Sequence, residues 1–394
     1  MTFSLVWADD LSGAAEAAQT WQQSTGSSVP IRLGTPDEAP VATAAVWDLD
    51  LRHYAEAEVR TRLAPAAARL GRETSVFFKV DSQLRGPVRA YVQELLATGR
   101  SVVLSAANPA LGRITTAGNH HVPGAAVSPI ALHPLFDGLR HQHLARSVYH
   151  RLPDLLTEGP PALITADVSS EADLAELAEQ CRHGPPTHVA GSAPFLGALT
   201  RDATGGPSAD SAPGPPGLVP QLLAVIGSTD PAGAAQVEAL RSRDPQTTVV
   251  TAPVSASGPA VAEAAQLVTR ALARGVHTVL LPPAPEPGRY HSEQTMAALA
   301  ATCHAVLAGG GPAVALYLSG GHTARRLLDR LGWTSLRTVP GARGAVTHLL
   351  APDGRTILTK PGSYGAAGTL LDLTTPAPPD DAPIPDKEPS SGRT

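Results

Sequence analysis

The sequence predicts an α/β protein made of two α/β domains with largely parallel sheets and a ligand cleft between them. Three observations lead there. Short apolar, β-branched runs alternate with Ala/Leu/Glu/Arg segments along nearly the whole chain, the pattern of βαβ units that feed a parallel sheet. A Pro/Gly/Ser-rich stretch breaks the alternation at residues 201–220, as a linker or long exposed loop would. The 394 residues are enough for two domains of roughly 150 residues each.

The elements follow in order. Buried strands are expected at "FSLVWA" (3–8), "AAVWDLD" (44–50), "SVFFKV" (75–80), "SVVLSAA" (101–107) and "ALITADV" (162–168). The first runs straight into "ADDLSGAAEAA", where Asp10 or Ser12 is suited to cap an alanine-rich helix. Helices are expected at "AEAEVRTRLAPAAARL" (55–70) and "EADLAELAEQC" (171–181). Beyond the break, strands are expected at 221–228, 247–252, 277–282 and 313–321, with helices at 232–243, 259–275 and 323–333. The Pro-rich, polar end, 374–394, reads as disordered. The resulting division is 1–200, a linker at 201–220, 221–373 and a tail.

Composition narrows the function classes. Two cysteines, Cys181 and Cys303, form no CxxC pair, which points to a reducing compartment. No basic n-region opens the chain, and no run reaches about 18 apolar residues, so a cytoplasmic protein without a membrane span is expected. A formal charge of −5 argues against a nucleic-acid partner. GxxxxGK[ST], GxGxxG after a strand, HExxH and GxSxG are all missing. His120, His121, His141 and His143 stand one or two positions apart, a spacing that does not share a helix face, and read as loop histidines on a solvated surface.

Chemistry concentrates where strands end, which is where open α/β sheets bind ligands. In the first half these places are "ADDLSG" with Asp9, Asp10 and Ser12, "FFKVDSQLRG" with Lys79, Asp81, Ser82 and Arg85, and "NPALGRITTAGNHHVPG" with Arg113. Arginines suit a carboxylate ligand, and aspartates can order or deprotonate a hydroxyl. A helix cap at Asp10 and a spacing-four ion pair between Asp81 and Arg85 would explain the same residues structurally. In the second half, "VIGSTDPAGAAQ", "LYLSGGHTARRLL" and "TKPGSYGAAG" place Ser228, Ser319, Gly320, Gly321, His322, Lys360, Gly362 and Gly365 at strand-to-helix turns. Such turns let backbone amides approach phosphate, so a nucleotide site without a P-loop is expected.

In this order the segments "ADDLSGAAE", "KVDSQLRG", "GRITTAG", "GSTDPAGAAQ", "SGGHTARRLLDRLGW" and "KPGSYG" resemble the four-carbon acid sugar kinase family over roughly residues 5–372. The resemblance implies an acid-sugar-binding first domain, a nucleotide-binding second domain, and transfer of the γ-phosphoryl group of ATP to a terminal hydroxyl of a sugar acid with Mg²⁺. By position Asp9 and Asp10 match the family's paired acids and are the expected catalytic pair. One would stand at the acceptor hydroxyl and the other would hold Mg²⁺, with Asp10 the metal candidate and the division between them open. Lys79, Asp81, Ser82, Arg85 and Arg113 would bind the acid, with Ser12 beside them, and the second-half turns the nucleotide. The chain departs from the family pattern at Ser12 and Gln83, usually threonines, at His322, usually a carboxylate, and at "PGSYG", usually "SGNFG". A kinase for another small hydroxy acid and a non-catalytic binding relative are the alternatives, and a homodimer is left open.

Overall fold

The computed structural model describes residues 5–36, 44–70, 74–201, 218–228, 230–284, 293–308, 314–339, 346–362 and 364–374. Most of the expected linker, 202–217, and the expected disordered end, 375–394, lie outside the described residues.

In the first half the chain runs β1 (Leu5–Ala8), α1 (Leu11–Thr25), β2 (Pro30–Leu33), β3 (Ala45–Asp48), α2 (Glu56–Ala68), β4 (Val76–Lys79), α3 (Val88–Leu96) and β5 (Val102–Ser105). A small antiparallel sheet follows, β6 (Ile114–Thr116), β7 (Asn119–His121) and β8 (Ile130–Ala131). Then come α4 (Leu132–Leu135), β9 (His141–Leu144), α5 (Leu152–Thr157), β10 (Leu163–Ala166), α6 (Glu171–His183), β11 (His188–Gly191) and α7 (Ala193–Thr200). The second half is β12 (Leu222–Ile226), α8 (Pro231–Arg243), β13 (Thr248–Thr251), α9 (Pro259–Ala273), β14 (Thr278–Leu281), α10 (Glu293–Leu307), β15 (Ala315–Ser319), α11 (Gly321–Arg330), β16 (Ser335–Thr338), β17 (Thr347–Leu350) and β18 (Thr356–Lys360).

The mostly parallel α/β architecture is as expected, but the two halves do not keep separate sheets. Fifteen strands form one sheet in the order β13-β14-β12-β15-β18-β17-β16-β2-β3-β1-β4-β11-β5-β10-β9. The joint is the antiparallel pairing of β16 with β2, Leu336 opposite Ile31. Each strand would otherwise present an open edge, and pairing satisfies both rows of backbone groups.

Three antiparallel junctions separate β15 from β1, so by ladder direction the two strands run opposite ways. A twist of about 20–25° at each of the six steps between them accumulates to roughly 120–150°. That turn brings the carboxyl ends of the two parallel blocks toward the same side, where they flank one cleft. Within the first block, Ala8, Asp48 and Lys79 end neighbouring strands in one row. In the second, Ile226, Ser319 and Lys360 do the same.

The strands that bear the site are anchored by burial. β1, β3, β4, β5, β10 and β12 are buried along their whole length, as strands covered by helices on both faces must be. Phe78 stacks on Tyr91 and meets Trp7 edge-on on one face of the sheet, and Ala14, Ala15, Ala17 and Ala18 let α1 lie close on the other face. Among the described residues no helix is long and apolar enough to cross a membrane.

Candidate active site

A cleft of about 690 Å³ lies between the halves. Asp10, Ser12, Arg52, His53 and Arg85 line it from the first half, and Ser228, Asp230, Glu293, Gly320, Gly321 and His322 from the second.

Asp9 and Asp10 sit where β1 stops and α1 begins. Asp10 is the helix cap: its backbone is extended and its Oδ1 accepts the Gly13 N–H at 2.7 Å. Its Oδ2 accepts from Arg52 Nη1 at 2.6 Å. Asp9 is fully buried and does not line the cleft. Both its oxygens are held by Arg52, Nε to Oδ2 at 2.9 Å and Nη2 to Oδ1 at 2.6 Å. One guanidinium therefore straddles both carboxylates. Burial pushes Asp9 up to about 6, with Arg52 opposing that rise and Asp10 adding to it. Arg52 stays charged, because Asp10, Asp9 and Asp81 outweigh the cost of burying it. The sequence reading missed Arg52. Arg52 does follow a strand end, four positions after β3, but nothing local in the sequence marks its pairing with Asp9 and Asp10.

The acid-binding candidates divide. Lys79 Nζ is buried and pairs with Glu16 at 2.9 Å, a partner on α1 that the sequence reading also missed. Arg85 lines the cleft but is forked onto Asp81, with Nε on Oδ2 and Nη2 on Oδ1. The spacing-four pair is thus real, although Asp81 is buried rather than at the surface. Burial alone would raise Asp81; Arg52, then Arg85 and Lys79, hold it below the usual carboxylate range. Arg113 is buried and gives Nη1 to Ser82 Oγ at 2.5 Å and to Tyr364 OH at 2.8 Å.

His120 and its neighbours correct the sequence reading. His120 is fully buried on β7, bonded through Nε2 to the Ser82 carbonyl at 2.8 Å and through Nδ1 to Thr115 Oγ1 at 3.0 Å. Burial lowers its pKa and favours the neutral ring, which clips the β6–β7 hairpin onto the Ser82 turn. His141 and His143 lie on one face of β9 and both bond Thr165 Oγ1, at 2.8 and 2.9 Å. Two positions apart is the same side of a strand; only on a helix does that spacing diverge.

On the opposite wall, α11 starts at Gly320 with no side-chain cap, so its first N–H groups are available to an anion. Gly321 packs against the first half: a Cβ there would overlap Asp10 Oδ2 and lie 2.7 Å from Ser12 Oγ. Ser12 Oγ is buried without a hydrogen-bond partner among the described residues. Ser228 lies between Gly320 and Gly362, and a Cβ on Gly362 would overlap Ser228 Oγ. His322 Nε2 bonds Glu293 Oε2 at 2.8 Å, so a carboxylate stands beside the turn that lacks one in sequence. Ser319, Lys360 and Gly365 support the wall from behind it. Ser319 is fully buried at the end of β15. Lys360 Nζ donates to the carbonyls of Pro361 at 3.1 Å and Gly362 at 2.9 Å, and burial lowers its pKa to about 8. Gly365 shapes the loop after Tyr364 with a φ of 88°.

Helix α11 also bolts the halves together. Arg325 Nη1 reaches Asp48 Oδ2 at 3.0 Å, and Arg326 Nη1 lies 3.9 Å from Asp50 Oδ2. Replacing Gly321 with alanine is expected to force α11 away from Asp10. Affinity for ligands on both walls should fall while the melting temperature changes by a few degrees at most, as read by calorimetry and thermal denaturation.

Among the described residues no group of three or more His, Cys, Asp and Glu could hold a metal ion. Magnesium asks for less when phosphate oxygens and water complete its shell: one or two carboxylates suffice. Asp10 and Asp230 offer these from opposite walls, and Asp230 has Oδ1 engaged by the Ala232 N–H at 2.9 Å. The donor set fits a magnesium–phosphate complex.

Comparison with known proteins agrees with this two-walled arrangement. Residues 4–157 match the family model described as a sugar-binding N-terminal domain, and residues 223–370 that of a nucleotide-binding C-terminal domain. A D-threonate kinase from Cupriavidus necator is 27% identical over 405 residues, covering 93% of this chain and 96% of the relative. A Haemophilus influenzae protein of solved structure shares the fold with a TM-score of 0.65 at 19% identity, over 93% of this chain and 98% of its own. A Salmonella typhimurium protein does so with a TM-score of 0.70 at 19% identity, over 93% and 97%.

Proposed function

This chain belongs to the four-carbon acid sugar kinase family, and on that premise we propose that it transfers the γ-phosphoryl group of ATP to a terminal hydroxyl of a small sugar acid such as threonate, erythronate or 3-oxo-tetronate. The contact of Asp10 with Gly321 carries the reading. There the acidic wall of the first half meets the uncapped start of α11, so an acceptor hydroxyl and a phosphate can be brought together.

Phosphoryl transfer asks mainly for positioning and charge neutralisation. Asp10 Oδ2 faces the cleft and orients or deprotonates the acceptor hydroxyl. Its other oxygen is fixed by the Gly13 N–H, which holds the carboxylate in one rotamer. Asp9 acts through Arg52, whose guanidinium it locks from below. Arg113 and Ser82, which stand outside the cleft lining next to Asp81, the partner of Arg85, take the substrate carboxylate in this reading, with Lys79 contributing positive potential from beneath. The N–H groups at the start of α11, with Ser228, receive the phosphates. Magnesium, held by Asp10 and Asp230, would neutralise phosphate charge. Glu293 restores an acid beside His322, which supports nucleotide use at this turn.

The test is an ADP-release screen with threonate, erythronate, 3-oxo-tetronates and related hydroxy acids in the presence of Mg²⁺. One acid is expected to raise ADP release at least a hundredfold over the rate without acceptor. Chelating the metal should abolish that rate, and adding Mg²⁺ back should restore it. Binding of acid and nucleotide in calorimetry without ADP release from any acceptor would instead establish a non-catalytic relative.

A further inference from the structure

Tyr364 belongs to the second half yet makes its side-chain contacts with the first. Its hydroxyl accepts from Arg113 Nη1 at 2.8 Å and lies 3.3 Å from Ser82 Oγ. The Arg113 guanidinium sits over its ring, 5.2 Å from the centroid. The loop that presents it is held from two sides. Gln236 Nε2 donates to the carbonyls of Tyr364 at 3.3 Å and Ala366 at 3.2 Å, and Tyr317 OH fixes Gln236 Oε1 at 3.0 Å. Lys360 ties down the carbonyls of Pro361 and Gly362.

The donors in this group can be counted. Nη1 has two N–H bonds and gives one each to Ser82 Oγ and Tyr364 OH. Both hydroxyls accept from Nη1, and one gives its proton to the other across 3.3 Å, so one hydroxyl proton is left to donate. Nε and Nη2 of Arg113 make no hydrogen bond among the described residues. That edge is the fork that matches a carboxylate with two parallel bonds.

We propose that Tyr364 is a positioning residue of the acid-binding subsite: by holding Nη1 it directs the Nε/Nη2 edge of Arg113 to the carboxylate of the acceptor. The inference rests on the reading of the acceptor as an acid. It gives the subsite a component from the nucleotide half, so the seating of Tyr364 by Gln236 sets the geometry in which the acid is gripped.

The experiment uses the full chain and its Tyr364→Phe variant, which keeps the ring and removes only the hydroxyl. Calorimetric titration with threonate and separately with ADP is expected to show about a tenfold weaker threonate affinity, the size of one hydrogen bond to a charged group, with ADP affinity within twofold of the parent. In turnover, KM for the acid should rise while KM for ATP holds. In an Arg113→Lys background the same substitution should add less than twofold, because the group it positions is gone. Unchanged threonate affinity, or equal weakening of threonate and ADP, overturns the proposal. If the parent binds threonate but releases no ADP, the kinase reading fails while the binding comparison still decides the role of Tyr364. If the parent binds no sugar acid in the series, both fall.

Discussion

Asp10→Asn is expected to lower turnover by about 10²–10⁴-fold, the usual contribution of a positioned acid–base group, while the protein stays folded. Asparagine caps a helix as well as aspartate does, so the Gly13 N–H keeps its acceptor and α1 keeps its start. Arg52 keeps both bonds to Asp9. What disappears is the negative charge of Oδ2, which faces the cleft beside Gly321. That oxygen also accepts from Arg52 Nη1, so this variant gives up that single bond while Asp9 still holds the guanidinium. Asp9→Asn should behave differently. Its side chain is fully buried with both oxygens on Arg52, so an amide there sets a donor against the guanidinium, and stability falls along with activity. Single-turnover ADP release and thermal melts of the two variants separate the roles. An Asp10→Asn enzyme within a few-fold of the parent would remove Asp10 from the chemistry.

What was legible in the sequence, and what was not, follows from distance along the chain. Asp9 and Asp10 stand out because they are adjacent and close a strand. Arg52 does not, because its partners are 42 and 43 residues away and no local pattern records the meeting. The same holds for Tyr364, which touches Arg113 across 251 residues. The strands that merge the two sheets, "PIRL" and "SLRT", are four residues long and only partly buried, too short for an alternation to show. The histidines failed for another reason. Their spacing was judged by the geometry of a helix, and β7 and β9 are strands. His322 looked like the loss of an acid, but a turn's charge is set by everything packed on it, and Glu293 approaches from α10.

Arg52→Met should cost roughly 3–5 kcal/mol of stability near pH 8, the usual result of removing one partner from a buried ion pair. The side chain is replaced by one of similar length, so packing changes little. The loss comes from leaving Asp9 and Asp10 as adjacent like charges, with Asp81 adding to the repulsion on Asp9. The pH dependence identifies the cause. The ordinary value for Asp9 is 3.8, and burial raises it to about 6 even with Arg52 in place. A carboxyl raised on folding contributes stability that is complete below its unfolded value and is lost as pH climbs through its folded value. Without Arg52 the folded value moves higher still, and the window of loss extends upward with it. Denaturant melts of the variant should therefore show unfolding free energy falling between pH 6 and 8, and the gap to the parent narrowing toward pH 5. A gap independent of pH would place the damage in packing instead. Arg52→Lys completes the argument: an ammonium restores the charge, and with it much of the stability, but a point charge cannot span three oxygens on two carboxylates. Turnover should stay low in that variant, which would separate the charge Arg52 carries from the geometry it imposes on Asp10.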